Sequence, residues 1–153
     1  VNALASILKK DYETVLTTNK DQSVYLLVLP KGTMQMTPSV PKMGAHWFNP
    51  KADLYQAEDG VTVFKTIYGV EKGKLVFIEQ MIAQKHLAEG KSFTDFDGMQ
   101  GLPSPAIDHS NIEFIAHGHE GFEVPHYDIH HYFISKAEQD QIKGDGAPPA
   151  HTH

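Results

Sequence analysis

With 153 residues, 41% of them hydrophobic, the chain has the length of one domain and the apolar content to bury a substantial core. Its formal charge of −6 combines thirteen lysines with no arginine, so bidentate forks for phosphate or guanine are missing and a nucleic-acid partner is not expected. No apolar run approaches the ~20 residues of a membrane-spanning helix, and the absence of cysteine excludes disulfides, thiolate metal sites and cysteine nucleophiles.

In chain order, ALASILKK at 3–10 predicts a short amphipathic helix with Ile7 and Leu8 turned inward. YETVLTT (12–18) and SVYLLVLP (23–30) flank the turn-like NKDQ and read as a β-hairpin rich in β-branched and aromatic residues. Pro30, Pro38 and Pro41 then deny the backbone a continuous ladder and deliver it to MGAHWF at 43–48, a segment too short and mixed for a normal strand. The second hairpin is the clearest element: VTVFKTIYG, the Gly-bearing turn VEKG, then KLVFIEQMI, together 61–82. AQKHLAEG at 83–90 predicts a short helix stopped by Gly90.

A Gly/Pro-punctuated stretch through GLPSPAIDHS leads to a strand at 111–118, NIEFIAHG, which pairs across HEGFEV with PHYDIHHYFIS at 125–135. Ser135-Lys-Ala-Glu138 is a capping-box pattern, so a helix starts there and the preceding strand closes at Ile134. Residues 1–143 form a single β-rich domain in this reading, and 144–153, GDGAPPAHTH, form a flexible His-containing tail. The expected fold is mainly β, with α+β as the alternative: an antiparallel barrel-like or sandwich-like sheet with short peripheral helices.

The chemistry concentrates in PHYDIHHYFIS. A strand at 126–134 puts His126, Asp128, His130 and Tyr132 on one face and Tyr127, Ile129, His131 and Phe133 on the other. His126 and His130 are then ~13 Å apart along a straight strand, so sharing one ion needs a bend at Pro125 or a bulge near Asp128. A helix would instead make them an i, i+4 pair, but the capping box at Ser135 favours the strand. A solvated edge-strand face is the competing explanation. Three imidazoles and a carboxylate this close weigh toward a divalent transition metal: Zn, Cu, Ni, Mn or Fe.

Glu79 alternates with Leu75, Phe77 and Met81, an anomalous place for a carboxylate unless it meets a cation, a metal or donors. His46 follows Met43-Gly44, where a glycine permits close backbone approach. His117 and His119 have the spacing of a strand chelate, although Gly118 and Gly121 favour a turn. His109 next to Asp108 reads as an exposed pair, and His151 and His153 as adventitious tail ligands. No Gly-x-Ser-x-Gly elbow or phosphate-cradling glycine loop is present.

Taken together, MGAHWF, IYGVEKGKLVFIEQMI and PHYDIHHYF resemble a bacterial family of small, mostly exported proteins classed as a domain of unknown function. Its pattern is Met-Gly-x-His-Trp, an Ile-Tyr-Gly hairpin ending in Phe-x-Glu-x-Met-Ile, and a C-terminal His-Tyr-Asp-x-His strand. The match spans 25–143, with Gln80 where the pattern has proline and His131 where it has an aromatic. The resemblance implies His46, Glu79, His126, Asp128 and His130 as motif positions and an extracytoplasmic, β-rich protein; it implies no activity.

The expectation is therefore a mononuclear metal centre of His46, Glu79, His126 and His130. Asp128 is a further ligand or an acceptor that orients a ring, and His117 and His119 are alternative ligands. An open coordination position would activate water or take a small-molecule ligand. The other reading is a non-catalytic binding or assembly protein, homo-oligomeric or with a partner, in which the histidines are structural and exposed Trp47 and Phe48 make the contact.

Overall fold

Two antiparallel hairpins frame the architecture. The computed structural model describes residues 12–18, 23–94 and 106–145; the expected 3–10 helix and most of the tail fall outside them. Strands β1 (Tyr12–Thr18) and β2 (Val24–Pro30) pair from Tyr12↔Pro30 to Thr18↔Val24 as a two-stranded sheet. Strands β6 (Thr62–Glu71) and β7 (Lys74–Ala83) form the central hairpin of a seven-stranded sheet. Their turn places Lys72 and Gly73 at φ 49° and 70°, the left-handed pair that a two-residue hairpin loop requires. Gly73 also lies against the first hairpin, where a Cβ would come within 2.7 Å of Tyr25 Cβ.

The other strands of this sheet are β3 (Met34–Gln35), β4 (Ala45–Phe48), β5 (Leu54–Gln56), β8 (His109–Ile115) and β9 (His126–Tyr132). Their order is β3-β4-β6-β7-β9-β8, with β5 also pairing β6. Helix α1 (Gln84–Ala88) follows β7 and helix α2 (Lys136–Gln141) follows β9. The capping box forms as its spacing predicts: Ser135 Oγ accepts from the Glu138 N–H at 3.2 Å and Glu138 Oε2 accepts from the Ser135 N–H at 2.9 Å.

Period-two alternation divides the large sheet into two faces. On one, Trp47, Tyr68 and Ile78 are register partners and pack with Leu29 of the first hairpin, giving a sandwich-like layer. On the other, β7 carries Phe77, Glu79 and Met81. Phe77 packs with Tyr132 and Met43, and Met81 with Phe64 and Phe122, so Glu79 falls between two apolar clusters.

Several expectations are corrected. β3 and β8 stand at the two ends of the strand order, so among the described residues the sheet does not close into a barrel. MGAHWF does contain a regular strand, because β4 gains its ladder from β6 through Ala45↔Val70, His46↔Gly69 and Trp47↔Tyr68. Trp47 is consequently core, 6% exposed, and Phe48 is half-buried against Phe64, so neither is the exposed contact envisaged. Within the described part of 144–153, Asp145 donates its N–H to Ser39 O at 2.7 Å and its Oδ2 accepts from the Ser39 N–H at 3.0 Å.

Candidate metal centre

Strand β9 is buried in strict alternation, with His126, Asp128, His130 and Tyr132 inward, and its ladder to β7 runs without a shift from Phe77↔Tyr132 to Ala83↔His126. The ladder carries no bulge, and His126 and His130 fall in different groups of neighbouring side chains. The structure divides the expected set into two groups: His46, Glu79 and His130, and His119, His126 and Asp128. Within each, one ligand atom per residue lies within 4.8 Å of the others.

In the first group, the cross-strand register sets Glu79 directly opposite His130, and β4 brings His46 from the far side of β6. Glu79 Oε1 is 2.9 Å from His130 Nε2, and Glu79 Oε2 is 3.6 Å from His46 Nε2. Bonds of ~2.1 Å around a tetrahedral ion hold ligand atoms ~3.4 Å apart, so both separations are near that of a shared ion. The 2.9 Å approach is not aligned as a hydrogen bond: both ring nitrogens of His130 and Glu79 Oε2 are buried without a hydrogen-bond partner. Glu79 is 1% exposed and His130 0%.

Surrounding groups orient these side chains. The Thr37 hydroxyl accepts the His46 backbone N–H at 3.1 Å and lies 3.1 Å from His46 Nδ1. The Phe77 ring makes T-shaped contacts with both imidazoles, 5.3 Å from His46 and 4.8 Å from His130. Glu113 Oε2 lies 3.6 Å from His130 Nδ1, the placement of a carboxylate that steers a ligating ring. Burial lowers the His46 pKa, and the Glu79 charge only partly offsets it. Burial pulls His130 the same way, but the charges of Glu79, Asp128 and Glu113 outweigh it and raise its pKa.

In the second group, His126 Nε2 is 3.0 Å from Asp128 Oδ1 and 3.3 Å from His119 Nε2, and His119 Nε2 is 4.0 Å from Asp128 Oδ2. Burial opposes protonation of His126, yet Asp128 and the Val124 carbonyl raise its pKa. Burial would raise that of Asp128, and His126, His130 and His119 lower it.

The remaining candidates scatter. His117 is exposed and belongs to neither group, and the His-x-His segment is a turn beside the His119↔Phe122 bridge. His109 opens β8 and is held between Asp108 (2.9 Å) and Gln139 (3.0 Å). His131 points to the opposite face, between Ser110 Oγ at 3.0 Å and Gln80 Oε1 at 3.2 Å. His151 and His153 lie outside the described residues. Glu113 and Thr37 escaped the sequence reading; the alternation of NIEFI places Glu113 with Asn111 and Ile115, but one half-buried acid is an ordinary sight. Buried His86, 2.8 Å from Asp59 Oδ2, was also missed; Lys85, the Val61 N–H and His86 together hold Asp59 below the usual carboxylate range.

No protein-family model matches the chain, and no curated protein matches it. Among solved structures it is similar to the hypothetical protein TTHB210 from Thermus thermophilus, with 22% identity and a TM-score of 0.52 over 71% of this chain and 93% of that one. At that identity the likeness concerns the fold alone: an antiparallel sheet of this kind occurs in a second, far-diverged protein.

Proposed function

We propose that the chain is a metal-binding protein whose centre is the buried triad of His46, Glu79 and His130. The observation that carries this reading is the orphaned polar set: Glu79 Oε2, 3.6 Å from His46 Nε2, and His130 Nε2, 2.9 Å from Glu79 Oε1, are buried without hydrogen bonds at ligand separation. Leaving such groups unsatisfied costs about 1–3 kcal/mol each, and a cation among them would offset that cost. Two imidazoles and a carboxylate suit a divalent transition metal, with Zn, Cu, Ni, Mn and Fe as the candidates. Three protein ligands leave a coordination position that would take water or a substrate oxygen, the arrangement of catalytic rather than structural zinc sites. The extracytoplasmic location implied by the resemblance belongs to this proposal.

Elemental analysis of untagged protein, before and after His46→Ala, tests it. Near-stoichiometric metal lost in the variant is the expected result, and a metal content unchanged by His46→Ala would sink it. A second reading, a non-catalytic assembly protein, has its own support in β8. This edge strand turns Ile112 (70% exposed) and Phe114 (45% exposed) outward, and light scattering would reveal the oligomer it requires.

A further inference from the structure

We propose that His119, His126 and Asp128 form a second metal position, separate from the His46 triad, that takes its own divalent transition-metal ion. Tautomers supply the reason. His126 donates Nδ1–H to the Val124 carbonyl at 2.6 Å, and His119 donates Nδ1–H to the Glu120 carbonyl at 3.1 Å. A carbonyl can only accept, so each ring carries its proton on Nδ1, and in the neutral form each Nε2 is a bare lone pair.

Those two lone pairs are 3.3 Å apart, and Asp128 Oδ1 lies 3.0 Å from one of them. Three acceptors therefore converge with no hydrogen among them. Asp128 Oδ1 is buried and has no aligned donor. The convergence calls for a donor or a positive species: a water, an extra proton that makes one ring an imidazolium, or a metal ion, and of these the ion binds all three acceptors at once. The separations of 3.0, 3.3 and 4.0 Å bracket the ~3.4 Å between ligands of a tetrahedral ion. A backbone carbonyl behind each imidazole is the support that metal-ligating histidines commonly have. His126 is 0% exposed, whereas the His119 side chain is 21% exposed, which gives an ion a wider entry than the first triad, whose most open side chain, His46, is 9% exposed. The two positions share no residue, so the second stands independently of the first.

The test titrates metal-free full-length chain with Zn2+, with His151→Ala and His153→Ala in every arm to silence the tail. Ions retained per chain are counted by elemental analysis, and imidazole Nε2 resonances are followed by 15N NMR. Two ions are expected, falling to one in His119→Ala and in Asp128→Asn, with the His46 and His130 resonances still responding to Zn2+. His117→Ala, at an exposed neighbour, should keep both ions. One ion lost only in His119→Ala would support this position and remove the His46 centre. One ion lost only in His46→Ala, one lost equally in His46→Ala and His119→Ala, or none bound would each overturn the second position.

Discussion

Glu79 shows how much depends on a single carboxylate. It sits between Phe77 and Met81 on the inner face of β7, and its charge holds His130 above, and partly restores His46 toward, the ordinary histidine pKa. Glu79→Gln keeps the shape and removes the charge. The variant should bind Zn2+ at least about tenfold more weakly, comparable to or beyond the loss from altering a supporting group, and the His130 pKa should fall. Calorimetry reads the first and NMR titration the second; unchanged affinity would take Glu79 out of the centre. Proton competition follows from the same groups. A raised folded pKa means that His126 and His130 keep protons above pH 6.5, and a metal must displace them. Affinity should therefore go on rising with pH beyond the range of an unperturbed histidine site. In metal-free protein the sign reverses: the stabilisation from these two rings is full below their unfolded pKa of ~6.5 and is lost as pH rises through the folded values. Calorimetry and melting at several pH values, with and without Zn2+, would show the opposed slopes.

At the scale of elements, the pairing of β7 with β9 decides which side chains meet. A one-residue slip of β9 would carry His126, Asp128 and His130 to the other face, away from Glu79. Gly69 protects this geometry from the neighbouring strand: a Cβ there would lie 2.1 Å from the Phe77 ring that packs against both His46 and His130. Gly69→Ala should cost about 1–3 kcal/mol by overpacking and weaken Zn2+ binding by the His46 triad more than by the His119 group, as NMR would resolve. His131→Phe tests the outer face. Were that face apolar, phenylalanine at 131 would fit beside Ile129 and Phe133. The hydrogen bonds to Ser110 and Gln80 now predict a loss of about 1 kcal/mol in denaturant unfolding, with metal content unchanged. Alternation made the inward row of β9, the second hairpin and the Ser135 cap legible in the sequence, because each is set by local spacing. What spacing could not reveal is which distant residue completes each cluster: His119 reaches Asp128 from a turn, Glu113 reaches His130 across a ladder, and both depend on the tertiary register.

For the whole molecule, the ligands of the first triad come from β4, β7 and β9, three strands whose residues span 46 to 130. Binding an ion there ties together most of the large sheet, so metal should add global rather than local stability. At a free concentration a hundredfold above Kd the gain is about 2.7 kcal/mol. Removing metal with a chelator should lower the melting temperature by several degrees, and excess Zn2+ should restore it. The Ser135→Ala variant, which loses about 1 kcal/mol through its cap alone, should shift both curves equally.

The complete enclosure of Glu79 and His130 also sets a clock. With Glu79 and His130 at 1% and 0% exposure and His46 at 7%, an ion among them has little path to solvent while the sheet is closed, so its exchange should follow local opening of β7 from β9. Release into a chelator should then reach a ceiling as chelator concentration increases, because the scavenger waits for the protein. Denaturant well below the unfolding midpoint should accelerate release by the same factor as amide hydrogen exchange in these two strands. Such a centre equilibrates slowly with its surroundings and carries forward the metal supply it met when the sheet last closed.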